Sequence, residues 1–258
     1  MDNIILYFPW GGGGNLVRNI ISIDTRFEFS DDQWTNGHYP TADSRYEFLL
    51  NYYNKPVEPS TWLPREWRLR AKIQSRYYQN GKIVYWNPEK LLVYDAHGSQ
   101  SDVINILSGR HLKCFNRWEI NCGAASEQLS SWTLEDCTHI FLIPSDVSTI
   151  TKIYNSKNPT INQLESVQDL ARRRQQAEIA NVKMCERLNN LAAQLRISGK
   201  QVYVYDCAEL YRNPNTIKDI VSSMELAVNH NYIDSIHSVW LQSTQQVYYN
   251  YFMTTFPI

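Results

Sequence analysis

The chain begins with an apolar run, Ile4–Phe8, then Pro9 and Trp10, then four consecutive glycines, Gly11 to Gly14, and then a helical pattern, Asn15–Ile23. No other segment restricts the fold as strongly. Glycine loses more conformational freedom on folding than any other residue, so a run of them marks a backbone that has to bend or be approached closely. A turn without Cβ atoms lets successive N–H groups face one concavity. The helix that follows adds its own unsatisfied N–H groups and the positive end of its dipole. That combination suits an oxyanion, most often a phosphate; a tight strand-to-helix turn with no ligand also accounts for it. No Lys-Ser or Lys-Thr follows the glycines, so this is not a Walker A loop.

Three more segments read like Ile4–Phe8, as short apolar runs followed by turn or cap chemistry: Leu91–Tyr94, His139–Ile143 and Gln201–Tyr205. Strands covered on both faces have this near-continuous apolar character. Helical patterns alternate with them at Ala42–Tyr53, Pro64–Gln79, Gln100–Leu107, Asp146–Tyr154, Pro214–Met224 and Ile233–Phe252. The longest pattern runs from Thr160 to Ser198, with Gly199 placed as its C-terminal cap and a break allowed near Arg172–Arg174. The alternation predicts an α/β fold: a three-layer sandwich around a central parallel sheet, in one domain over 1–258. The stretch at about 29–88 is rich in Trp, Tyr and Pro. It reads as an elaborated helical cap over the C-terminal ends of the strands, where open α/β sheets bind ligands.

Composition narrows the partners. A formal net charge of −1 supplies no global field for nucleic acid or a membrane surface, so nucleic acid is not an expected partner. No apolar run approaches the roughly 20 residues of a membrane helix, and no secretory signal pattern opens the chain. The five cysteines lack CxxC spacing and read as reduced, mostly buried thiols, so a cytoplasmic protein is expected.

Three constellations carry chemistry. Arg18, just past the glycines with Asn15, is placed to fold back as a forked donor on a bound phosphate, or to be a solvated helix residue. Trp10 either stacks a base or packs under the loop. His97 follows directly on the second strand, in Asp95-Ala96-His97-Gly98-Ser99, and could take a proton from a substrate hydroxyl. Asp95 or Ser99 would orient it; capping the next helix is the plainer role. After the third strand, Ser145 or Asp146 reads as a helix N-cap, with Ser148 and Thr149 on the first turn. Simple capping accounts for them, and a second phosphate site is the alternative. The other histidines show no metal-ligand spacing, and no metal is expected. The basic residues at Arg65–Arg76 and Arg172–Arg174 read as solvated faces, the first set being the one that could meet an anionic acceptor.

The layout resembles that of sulfotransferases, which belong to the P-loop nucleotide hydrolase-like folds. Their 5′-phosphosulfate loop, Pro-Lys-Ser-Gly-Thr-Thr-Trp-Leu, stands here as Pro9-Trp10-Gly11-Gly12-Gly13-Gly14-Asn15-Leu16. Their Lys-Thr-His is matched by Asp95-Ala96-His97, and their Arg-Asn-Pro-x-Asp-x-x-x-Ser by Leu142-Ile143-Pro144-Ser145-Asp146-Val147-Ser148-Thr149-Ile150. Their Tyr-Glu-Asp-Leu-x-x-x-Pro block resembles the run from Val202 to Pro214. The departures are Trp10 for the loop lysine, Leu142 and Ile150 for the 3′-phosphate arginine and serine, and no Arg-Lys-Gly-x-x-Gly clamp.

The resemblance implies transfer of a sulfuryl group from 3′-phosphoadenosine 5′-phosphosulfate to a hydroxyl or amine of a small-molecule or carbohydrate acceptor. Gly11, Gly12, Gly13, Gly14, Asn15 and Leu16 would hold the 5′ end of the donor. Ser148 and Thr149 would stand in for the 3′-phosphate contacts, His97 would be the base, and Arg18 would neutralise developing charge. A non-catalytic nucleotide- or anion-binding module on the same fold is the alternative, favoured by the replaced lysine and arginine.

Overall fold

The computed structural model describes residues 3–27, 29, 40–54, 78–79, 82–83, 93–96, 137–156 and 167–255. Its strands are β1 (Asn3–Tyr7), β2 (Tyr78–Gln79), β3 (Lys82–Ile83), β4 (Val93–Ala96), β5 (Cys137–Leu142) and β6 (Val202–Tyr205). Its helices are α1 (Gly14–Ile21), α2 (Ala42–Asn54), α3 (Val147–Ser156), α4 (Val167–Ile197), α5 (Asn215–Ser223) and α6 (His230–Thr255). The fold is mixed α/β around a parallel sheet, in the order β4-β1-β5-β6. β1 pairs with β4 on one side and β5 on the other, and β5 pairs with β6, all in parallel. The chain therefore leaves β1 toward one flank and returns at β5 on the other. In sheets of this kind the strand order reverses at such a point, and the crevice outside the C-terminal strand ends is where ligands sit.

The central strand β1 is buried, whereas the edge strand β6, expected to be covered on both faces, is only half-buried, with Val204 39% exposed. Every residue of β5 is buried. Along β1 the side chains alternate between two faces. Ile4 and Leu6, with Phe8 just beyond, join the large core cluster with Leu16, Val17 and Ile20 of α1, Ile217 and Ile220 of α5, and Ile233, Ile236 and Trp240 of α6. The other face carries Tyr7, whose ring stacks on Phe141 at 4.2 Å between centroids and whose hydroxyl is hydrogen-bonded to His139 Nδ1 at 3.0 Å.

The far end of α1 is tied to α2. Asn19 Nδ2 donates to Tyr53 Oη at 2.8 Å. Arg45, 1% exposed, donates through one nitrogen to the carbonyls of Ser22, Asp24 and Phe27 at 2.9–3.0 Å. A buried guanidinium is tolerated there because its donors meet carbonyl oxygens of the turns that follow α1. Tyr46 of α2 stacks on Tyr232 of α6 at 4.0 Å. This part of the 29–88 insertion thus docks on the end of α1 remote from the glycines. Most of the remaining insertion lies outside the described residues, as do His97 and the expected helix Gln100–Leu107.

Three expectations are corrected in detail. The helix expected over Pro64–Gln79 does not include its last residues: Tyr78–Gln79 pairs antiparallel with Lys82–Ile83. The intervening Asn80-Gly81 is a strong hairpin signal that the helical reading passed over. The second sheet strand continues to Ala96, beyond the expected Tyr94. α4 runs unbroken past Arg172–Arg174, and Gly199 ends it as expected, at φ +75°. The Lys200 and Gly199 amides donate to the Leu195 and Arg196 carbonyls, both at 3.0 Å, which is a Schellman closure. Among the described residues no helix is long and apolar enough to cross a membrane.

Candidate functional site

Two strand-to-helix turns meet at the C-terminal edge of the sheet, one leaving β1 and one leaving β5. In the first, the Gly12 amide donates to the Pro9 carbonyl at 3.0 Å and closes a turn. Gly11 and Gly13 have φ of +82° and +71°, in the left-handed region that side chains avoid. Gly13 (ψ 8°) is the N-cap of α1, and Gly14 is the first helical residue. A left-handed residue followed by a right-handed one turns successive amides toward one side, the geometry of an anion nest. Gly13 has no side-chain oxygen, so nothing caps α1 in the way that Ser, Thr or Asp would.

The remaining glycine positions answer to packing. A Cβ on Gly14 would lie 2.2 Å from the ring of buried Phe8, so α1 can start against this ring only because residue 14 has no side chain. A Cβ on Gly12 would lie 3.0 Å from the Pro9 carbonyl and 3.4 Å from Cys207 Sγ. On Gly13 it would lie 2.9 Å from Leu210 Cδ1 and 3.9 Å from the Trp240 ring. The turn is thus roofed by the C-terminal third of the chain. Tyr211, in the short 3-10 turn Glu209–Tyr211, donates its hydroxyl to the Gly11 carbonyl and packs its ring 5.1 Å from that of Trp240. Burial pushes the Tyr211 pKa up, so it stays a donor. His237 Nε2 lies 2.6 Å from the Leu210 carbonyl, which only accepts, so that nitrogen carries the proton. Burial holds the His237 pKa below its ordinary value and keeps the ring neutral at pH 7.

Asn181, on α4, also grips this turn. It is fully buried, and its Nδ2 donates to the Trp10 carbonyl at 3.2 Å and to Thr151 Oγ1 of α3 at 2.9 Å. Trp10 itself is 36% exposed, which sets it apart from the buried residues around it.

The second turn is built differently. Asp146 accepts from the Ser148 and Thr149 amides at 2.9 and 3.3 Å and from the Thr149 hydroxyl at 2.5 Å. The hydrogen bond from the Thr149 hydroxyl is the largest of the effects that hold the Asp146 carboxyl below its usual range. The start of α3 therefore already holds an anion, its own carboxylate. Ser148 and Thr149 serve that cap, and a second phosphate here would meet like charge. Asp206, at the end of β6, steadies the edge by accepting from the Ser145 and Ala208 amides at 3.0 and 2.8 Å.

Among the expected site residues, Gly11, Gly12, Gly13, Gly14, Asn15 and Leu16 come together at the first turn. Leu16 is buried in the core beneath it. Arg18 lies along α1, where its Nη2 donates to Asn19 Oδ1 at 3.3 Å. Cys137, Cys185 and Cys207 are buried free thiols. Burial raises the Cys185 pKa to about 11 and the Cys207 pKa well above the ordinary value, so neither is a ready nucleophile at neutral pH. The sequence reading missed the roof and the grip: Leu210, Tyr211, His237, Trp240 and Asn181. His237 and Trp240 are three residues apart on an apolar helix face, and that spacing was the one available signal.

Comparison with known proteins gives no matching family model, no similar curated protein and no similar solved structure.

Proposed function

We propose that this chain is an anion-binding module that takes the phosphate of a nucleotide at the glycine turn. The observation that carries the reading is the left-handed Gly13 followed by helical Gly14, at a helix start with no side-chain cap and beside the point where strand order reverses. Gly13 and Gly14 bring backbone donors there, while the neighbouring helix start is already filled by Asp146. Trp10, in place of a loop lysine, leaves the backbone as the main source of positive potential, which suits binding more than transfer. Titration calorimetry with adenosine 3′,5′-bisphosphate tests this. Saturable binding that weakens in Gly13→Ala is expected; heat no different from buffer refutes it.

A second reading, sulfuryl transfer from 3′-phosphoadenosine 5′-phosphosulfate, is favoured by the register of β4. Ala96, the residue before His97, lies opposite Tyr7, so β4 and β1 end level at the same edge. In that reaction His97 takes the acceptor's proton as its oxygen or nitrogen bonds to sulfur. The sulfur–oxygen bond to the adenosine bisphosphate leaving group breaks, and Arg18 offsets the charge that develops. His97→Ala should abolish transfer of labelled sulfate and leave bisphosphate binding intact. Undiminished transfer in that variant excludes His97 as the base.

A further inference from the structure

We propose that the anion seated on the glycine turn carries its own hydrogen-bond donor, and that the buried carboxamide of Asn181 reads it. This rests on the reading of the turn as an anion site. Asn181 is fully buried, at the seam between the turn, α3 and α4. The Trp10 carbonyl can only accept, so the NH2 edge of Asn181 must face it, and this fixes which way the amide lies. The second NH2 hydrogen goes to Thr151 Oγ1, itself on a buried residue. That leaves Asn181 Oδ1, which has no hydrogen-bond partner. Oδ1 and Nδ2 belong to one small planar group, so the two hydrogen bonds of Nδ2 also fix where Oδ1 sits in this seam.

An orphaned buried amide oxygen is costly, and native structures keep few of them without a use. At the start of α1, Gly13 and Gly14 bring backbone amides and no side-chain acceptor. Asn181 Oδ1 supplies the complementary acceptor. Together they fit an anion bearing an O–H or N–H: a hydrogen phosphate, or a phosphate ester with a neighbouring hydroxyl or amine. A fully ionised anion without a donor leaves Oδ1 unsatisfied. A site built to satisfy a polar group discriminates strongly against an analogue that lacks it.

Inorganic phosphate and sulfate make the test. They have the same shape, and near neutral pH phosphate retains a proton while sulfate has none. Dissociation constants for both, and for adenosine 3′,5′-bisphosphate, are measured by calorimetry at pH 6.5 on the wild-type chain, Asn181→Leu and Thr151→Val. Wild type is expected to prefer phosphate by about tenfold or more, the cost of one orphaned buried acceptor. Asn181→Leu should lose that preference and Thr151→Val should keep it. Equal affinities in wild type, or a preference that survives in Asn181→Leu, overturns the inference and leaves the anion site standing. Failure of all three probes to bind wild type overturns the anion site and the inference with it. The wild-type comparison decides even if Asn181→Leu does not fold.

Discussion

The turns after β1 and β5 leave the same edge of one sheet and each starts a helix, yet they are opposites. The β1 turn passes through four residues without side chains, and its shape is imposed from outside by Phe8, Leu210, Tyr211, Trp240 and Asn181. The β5 turn satisfies itself: Asp146 caps α3 through contacts within three residues. A helix dipole is present at both, so the dipole does not make a site. A helix start without a side-chain cap is the candidate here, and contacts from distant residues hold its turn in place.

Substitutions can break that contrast. Gly14→Ala should cost most: its Cβ would overlap the Phe8 ring, and overpacking of a buried ring destabilises by about 3 kcal/mol. Urea unfolding measures it, and Phe8→Leu in the same chain should restore part of the loss. Gly13→Ala should follow, at about 1–2 kcal/mol for a side chain forced into the left-handed region. Leu210 Cδ1, the end of a flexible side chain, can move aside. Binding of adenosine 3′,5′-bisphosphate should fall more than stability does, and equal losses would make Gly13 a purely structural residue. Tyr211→Phe removes the donor to the Gly11 carbonyl and should cost about 1 kcal/mol in the same unfolding assay.

The smallest effect should come from the other turn. Asp146→Asn keeps much of the cap and removes the charge. The Asp146 pKa is lowered in the folded chain, so its charge stabilises the fold above the ordinary carboxylate range and ceases to as pH falls through the lowered value. Urea midpoints of wild type and Asp146→Asn should therefore differ slightly at pH 7 and converge at acidic pH. A gap that persists in acid would assign Asp146 a role other than charge.

The same contrast explains what could be read in advance. A cap at Ser145 or Asp146 was legible, because a side chain bonding to amides two and three residues ahead is a local event, and the structure gives the role to Asp146. The parallel strands, α1, α2, α5, α6 and the Gly199 stop were legible for the same reason: apolar period, cap and turn residues are local signals. The terminal residues of the expected Pro64–Gln79 helix went astray because the Asn-Gly hairpin signal that follows them was passed over.

The sequence by itself determined that a side-chain-free turn joins the first strand to the first helix, and that a parallel α/β arrangement follows. It also determined the self-capped start of α3. Only the tertiary structure decided what surrounds the glycines. Cys207, Leu210, Tyr211 and Trp240 come from about 200 residues away and Asn181 from the middle of a long helix. Contacts at that separation depend on which strands pair and which helix faces the sheet. No local propensity encodes them, and they alone fix whether four glycines make a bend or a site.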